Sequence, residues 1–457
     1  MAKAQMIFPP DFRWGTATSA HQVEGNNTNN DWWQWEQEGH ILEGHRSGLA
    51  CNWWENAEAD LDLAAEMGTN AHRLSLEWSR IEPEPSVFDM AALDRYRQIL
   101  QGMKERGIEP MVTLHHFTNP LWLTEKGDFN SEIVVSYFQR YAAKVADVLG
   151  DLVPLWVTIN EPMVYVFLRY LEGVFPAPKQ YGWGAAMEAV RNLLKCHAAA
   201  YHAIKEKQPQ AQVGIAKNMA VFAPKGKGNR LARWWAGRVS WIFNDLWMAC
   251  MTDGRFRWPL GRHRLPHLAD TFDFVGINYY TRYYVNFPPV GGLVAEEWGP
   301  DAVVSDGNYG EVYPEGLYQV IKRVLPYQKP IYITENGLPD AVDRLRPSFL
   351  MTHLRQVWKA ISFCFPIMGY YHWSLVDNFE WDRGWTQRFG LIEVNPDTQE
   401  RRWRESGRLY KEICHSYSLS SDMAERYAPE LMETMFPGQS PPAKNAPSIS
   451  ELAPTSF

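Results

Sequence analysis

The sequence has no long apolar run, no excess of positive charge and no clustered cysteines, and each absence removes a class of function. Its most apolar later stretch, Val239 to Met251, contains Asn244 and Asp245 and is shorter than the about 20 residues a membrane span requires. The start, MAKAQMIFPP, lacks the apolar core of a secretory signal. With 45 Lys and Arg against 53 Asp and Glu, the net charge is −8. Nucleic-acid and anionic-membrane partners both need a basic face, so neither is expected. The five cysteines, Cys51, Cys196, Cys250, Cys364 and Cys414, contain no CxxC pair. Such a dispersed odd set reads as reduced core thiols of a cytoplasmic protein. There is no HExxH and no Cys/His ligand spacing, so no metal or cofactor is expected.

What is present is aromatic: 21 Trp, 21 Tyr and 21 Phe in 457 residues. Large rings fill large cores, but they also stack on the flat C–H faces of sugars, and composition does not separate the two. Eight short apolar runs suit buried parallel strands: Phe12–Thr16, Ala71–Leu76, Pro110–Leu114, Leu155–Ile159, Gln212–Ala216, Phe274–Asn278, Ile331–Thr334 and Met368–Trp373. Between them run helical stripes: Leu93, Tyr96, Leu100 and Met103, followed by Gly107 as a cap; Ile133, Tyr137, Tyr141, Val145 and Val148; and Leu317, Val320, Ile321 and Val324. This alternation predicts an α/β fold, a single (β/α)8 barrel over residues 1–415. A doubly wound open sheet is the alternative, but no glycine-rich phosphate loop follows the first strand. The longest irregular segments follow strands one, five, six and eight, on the face where barrels build their sites. Residues 416–457 read as an extension, with a short helix over Asp422–Met435 and then a Ser/Pro/Ala-rich tail expected to be disordered.

Two strand ends carry a glutamate. Strand four ends T-I-N-E-P at Glu161, where Pro162 stops the pairing, and strand seven ends I-T-E-N-G at Glu335, before an expected Asn-Gly turn. Retaining glycoside hydrolysis requires two carboxyl groups about 5–5.5 Å apart, one protonated and one ionised. A lone strand-end glutamate is more often an exposed or ion-paired carboxylate; two at strands four and seven of one barrel make a stronger case.

From about Phe8 to Cys414 the chain resembles glycoside hydrolase family 1 β-glycosidases. The matching segments are FRWGTATSAHQVEG (Phe12–Gly25), RLSLEWSRIEP (Arg73–Pro83), TLHHF (Thr113–Phe117), TINEP, DFVGINYY (Asp273–Tyr280), ITENG and WSLVDNFEW (Trp373–Trp381). The resemblance implies that Glu335 is the nucleophile and Glu161 the acid/base. It also implies that Gln22, His116, Asn160, Tyr280, Trp373, Glu380 and Trp381 bind the substrate sugar, with Arg73 and Asn278 supporting. Trp373 would form the floor, Asn160 would meet the 2-hydroxyl, and Arg73 and Tyr280 would hold Glu335 with Asn278 beside them. Each has a plainer reading: core tryptophans, a structural ion pair at Arg73, and a packed imidazole at His115 or His116. Phe117 stands where the family often has Trp, and Lys179 where it often has Gly. Both are expected near the pocket mouth.

The implied reaction is hydrolysis of terminal β-D-glycosides of glucose, fucose or galactose, with a small glycoside or oligosaccharide as partner. Glu380 disfavours a 6-phospho-β-glycosidase, since like charges at about 4 Å repel by about 4 kcal/mol at an effective dielectric of 20. Retention of both Glu161 and Glu335 disfavours a thioglucosidase and a catalytically inactive sugar-binding relative. A transglycosylase, which shares the intermediate, remains open.

Overall fold

The structure, a computed structural model, describes residues 4–226, 230–289, 293–295, 298–299 and 301–438. Eight parallel strands close into one barrel in chain order: β1 (Arg13–Ala17), β2 (Ala71–Ser75), β3 (Glu109–His115), β4 (Leu155–Asn160), β5 (Gln212–Asn218), β6 (Phe274–Tyr279), β7 (Ile331–Asn336) and β8 (Ile367–Trp373). β8 pairs with β1, Gly369 opposite Arg13 through Trp373 opposite Ala17, and this removes both sheet edges. Every expected strand is present, displaced at its ends by up to two residues. β2, β4, β6 and β7 are buried along their whole length, because helices cover their outer faces and side chains fill the barrel.

The helix Met90–Glu105 shows how local sequence sets an element. Asp89 accepts from the Ala91 and Ala92 amides at 2.8 and 3.1 Å, and Gly107 follows the last turn at φ 71°. Pro314–Val324 likewise buries Leu317, Val320, Ile321 and Val324. The helix Val134–Leu149 differs from expectation. It buries Val134, Phe138, Tyr141, Val145 and Leu149, whereas Ile133 is 47% exposed. This segment is apolar on two adjacent stripes, and a one-residue shift rotates the buried face by about 100°.

Residues beyond 416 are tied to the start of the chain. Ser418–Ser420 pairs antiparallel with Gln5–Ile7, and Met423, Ala424, Met432 and Met435 are buried. The single helix expected over Asp422–Met435 is two, Ser421–Tyr427 and Met432–Met435. They are interrupted at Ala428, which precedes Pro429 and so is disfavoured from helical geometry. The expected tail from Gln439 onward lies outside the described residues. Among the described residues no helix is long and apolar enough to cross a membrane. Cys51, Cys196, Cys250 and Cys414 are buried free thiols, while Cys364 is exposed.

Candidate active site

Both strand-end glutamates open onto the C-terminal mouth of the barrel and are buried. Glu161 still pairs through its backbone, its N–H donating to Ala216 at 2.8 Å, and then adopts φ 44° before Pro162 begins a helix. A left-handed non-glycine residue costs about 1–3 kcal/mol and persists where its surroundings over-determine it. Phe117 (φ 74°) and Trp381 (φ 48°) share this conformation. Glu335 lies within β7, and Asn336 belongs to the strand rather than to a turn. Its side chain donates to the Tyr279 carbonyl at 2.7 Å and accepts from the Tyr370 hydroxyl at 2.9 Å. Gly337 serves a close approach instead, since a Cβ there would meet the Trp373 carbonyl oxygen at 1.9 Å.

The two carboxyls have unlike neighbours. Glu335 pairs with the Arg73 guanidinium through Nη1, and the Tyr280 hydroxyl donates to its Oε2 at 2.5 Å. Glu161 has no cation within ion-pairing distance among the described residues. It accepts on Oε1 from Asn278 at 2.8 Å and from Asn218 at 3.0 Å. Burial, and then the charge of Glu335, push its carboxyl up to about 7. Asn278, expected beside Glu335, lies opposite it in the strand register and turns its amide to Glu161, while its own oxygen accepts from Thr334 at 2.6 Å.

Arg73 also orders the opposite wall. Its Nη2 donates to Asn160 Oδ1 at 2.6 Å, and Asn278 donates to the same oxygen at 3.1 Å. With Oδ1 fixed this way, Asn160 Nδ2 faces His116 Nε2 at 3.0 Å. Burial and then the Arg73 charge keep His116 well below its usual range, so the ring is neutral. Nε2 therefore accepts and the ring proton sits on Nδ1, available as a donor. His115, by contrast, bonds Asn119 at 3.1 Å among Phe129 and Tyr165 rings and is structural.

The remaining wall comes from the loop after β8. Gln22 donates to Glu380 Oε2 at 3.0 Å. Trp381 lies 5.9 Å from His116 and 4.8 Å from Trp32, and Trp373 lies 6.0 Å from His116. Burial and then Asp382 push Glu380 up to about 8, so the side chain is largely protonated at neutral pH. The like-charge repulsion expected against a 6-phosphate is therefore weaker than a fixed carboxylate would give. The nearby arginines face other groups: Arg383 lies 3.5 Å from Asp382, and Arg388 lies 3.9 Å from Asp377. Phe117 is buried beside the mouth, its ring 5.1 Å from His116 and 5.2 Å from Trp381, whereas Lys179 is exposed and bonds the Glu125 carbonyl.

Gln22, Arg73, His116, Asn160, Glu161, Asn278, Tyr280, Glu335, Trp373, Glu380 and Trp381 are thus brought to one mouth. Asn218 was not anticipated. Its signal was available, a polar residue ending apolar β5, but its contact with Glu161 depends on register, Asn218 lying opposite Asn278. Among the described residues no group of three His, Cys, Asp or Glu side chains is arranged to hold a metal.

An eightfold barrel with two differently held carboxyls at its C-terminal mouth is the layout of a barrel O-glycoside hydrolase. The model of glycosyl hydrolase family 1 matches residues 4–418, and the chain belongs to that family. It is 32% identical to beta-glucosidase A of Thermotoga maritima over 443 residues, covering 90% of this chain and 98% of that protein. It is 31% identical to a beta-galactosidase of Pyrococcus woesei over 510 residues, covering 92% and 99%. A solved structure of a beta-glycosidase from Pyrococcus horikoshii superposes with TM-score 0.86 at 39% identity, covering 93% of this chain and 98% of that one.

Proposed function

We propose that the protein hydrolyses terminal β-D-glucosides and β-D-galactosides with retention, Glu335 acting as nucleophile and Glu161 as acid/base. The observation that carries this is the asymmetry of the two carboxyls. Glu335 is paired with a guanidinium and accepts from a phenol, whereas Glu161 has only amide donors among the described residues. Burial and then the Glu335 charge raise the Glu161 carboxyl to about 7 against the opposing pull of those amides. In the first step a Glu335 oxygen bonds the anomeric carbon, the glycosidic C–O bond breaks, and the Glu161 proton passes to the departing oxygen. In the second, Glu161 takes a proton from water, the water oxygen bonds the anomeric carbon, and the Glu335 ester bond breaks. A 2-deoxy-2-fluoro glycoside with a good leaving group should label Glu335 in a peptide digest. A label on another glutamate sinks the assignment.

The pH dependence follows with a definite sign. Glu161 must be protonated to assist departure, and its carboxyl loses its proton at about 7. The kcat/KM for a substrate with a poor leaving group should be flat over about the first unit below that value, until protonation of the nucleophile begins to limit it. Above that value it should fall about tenfold per unit. A pH–rate series with no alkaline limb between about 6 and 8 contradicts this.

The names of the relatives, beta-glucosidase and beta-galactosidase, support these two sugars, and Gln22 and Glu380 offer paired acceptors and donors to adjacent hydroxyls. Sugar hydroxyls donating to Glu380 favour its ionised form and make charge-assisted bonds of about 1.5–3 kcal/mol. Glu380→Ser should therefore lower kcat/KM on p-nitrophenyl β-D-glucoside by at least about tenfold. The 6-phosphate should remain a poor substrate, because Arg383 and Arg388 lie beside aspartates rather than around a phosphate site. A higher wild-type kcat/KM on the 6-phosphate overturns this reading of the subsite while leaving the catalytic pair untouched. A cytoplasmic location suits the dispersed free thiols.

A further inference from the structure

Lys217, next to last in β5, is fully buried, yet the proposed reaction gives it no role. Its ammonium meets carbonyl oxygens rather than a carboxylate: it donates to Asn218 at 2.9 Å and to Phe243, and lies 4.7 Å from the Phe243 ring centroid. A buried cation is costly unless its hydrogen bonds are made and a counter-charge is near. Asp245 is engaged by Arg323, whose Nε bonds it at 2.6 Å. The charged groups facing Lys217 are Glu161, Asp245 and Arg323, and burial brings Lys217 down to about 7. On the other side of the same backbone, Asn218 donates to Glu161 at 3.0 Å, and the Glu161 amide donates to Ala216 at 2.8 Å. The acid/base candidate is thus bonded to the residues immediately before and after Lys217. Glu161 itself is faced by Glu335, Arg73, Asn278 and Asn218, with the Glu380 carboxyl and the phenols of Tyr280, Tyr283 and Tyr309 nearby.

We propose that Lys217 is a positioning residue for Glu161: its buried ammonium locks the Asn218 backbone, whose side chain holds the carboxyl, and its charge favours the ionised form of Glu161. The bias matters most in the glycosyl-enzyme. There the Glu335 charge has become a neutral ester, so its repulsion no longer adds to burial in keeping Glu161 protonated, while the cation remains. Lys217 would then help the same carboxyl change from acid in the first step to base in the second. This rests on Glu161 being the acid/base, which the leaving-group dependence of Glu161→Ala tests separately.

The experiment uses the full chain and two rate constants. With 2,4-dinitrophenyl β-D-glucoside, whose leaving group departs readily, breakdown of the intermediate should limit kcat, and its acid limb then reports ionisation of Glu161 in the glycosyl-enzyme. The alkaline limb of kcat/KM on a poorer leaving group reports the free enzyme. In Lys217→Met and Lys217→Gln, labelled stoichiometrically by the 2-fluoro glycoside, both limbs should move to higher pH by about half a unit or more. Lys217→Arg should keep the acid limb in place or move it lower, and should move the alkaline limb lower. Reduced rates with unmoved limbs would mean only a structural role and would overturn the proposal, as would an upward move in the arginine variant. If neither neutral variant labels, the arginine variant decides: its permanent charge should move the alkaline limb to lower pH, and an unmoved limb overturns the proposal.

Discussion

Replacing Glu335 by alanine should lower kcat/KM on an aryl β-D-glucoside by at least about four orders of magnitude, equivalent to about 5.5 kcal/mol of transition-state stabilisation. The substitution removes the attacking oxygen and leaves Arg73 and Tyr280 facing a small cavity, since both bond that carboxylate. Azide fits such a space and is drawn to the guanidinium. It would reach the anomeric carbon from the face Glu335 occupied, while Glu161 still protonates the departing oxygen. The product should be the α-glycosyl azide, and its rate of formation should rise with azide concentration. Formation of the β-azide, or activity within about tenfold of wild type, would place the nucleophile elsewhere.

Glu161→Ala should behave differently. Loss of a general acid costs about 10²–10⁴-fold where the leaving oxygen needs its proton, and far less where a dinitrophenolate departs unaided. With alkyl or poorly activated aryl glycosides the first step should slow by that amount. With 2,4-dinitrophenyl glycoside, the glycosyl-enzyme should accumulate, because the base that activates water is also missing. The substitution leaves the amides of Asn218 and Asn278 without their shared acceptor, so Glu161→Gln provides a second variant of nearly the same shape. An equal loss across a leaving-group series in both variants contradicts the acid/base role.

The chain is legible to different depths at different places. The eight strands were visible because parallel strands covered on both faces are almost continuously apolar. Leu155–Asn160 and Phe274–Tyr279 are buried at every position, and their shortness and regular alternation with helical stripes marked them as strands. Val134–Leu149 was visible as a helix but not in its facing, because two neighbouring apolar stripes fit one period equally well. Trp14, Trp32, Trp78, Trp156 and Trp247 are fully enclosed core residues, whereas Trp373 and Trp381 stand beside His116 at the mouth. Composition treated all of them alike, since a ring's use depends on what it faces.

By itself, the sequence determined the barrel and the strand ends that carry the motifs, which follow from period, punctuation and local motif, while the roles expected of Glu161 and Glu335 came from the family resemblance. Only the tertiary structure decided their electrostatics. That Glu161 is surrounded by amides and Glu335 by a cation depends on which strands are neighbours and in what register, as does the pairing of Asn218 with Asn278. Likewise, Glu380 shifts to about 8 because the fold buries it near Asp382, Glu335 and Glu161. Desolvation and charge–charge interaction act through space over a few ångströms, between residues as far apart in the chain as Arg73 and Glu335, 262 positions, and no local pattern encodes that distance.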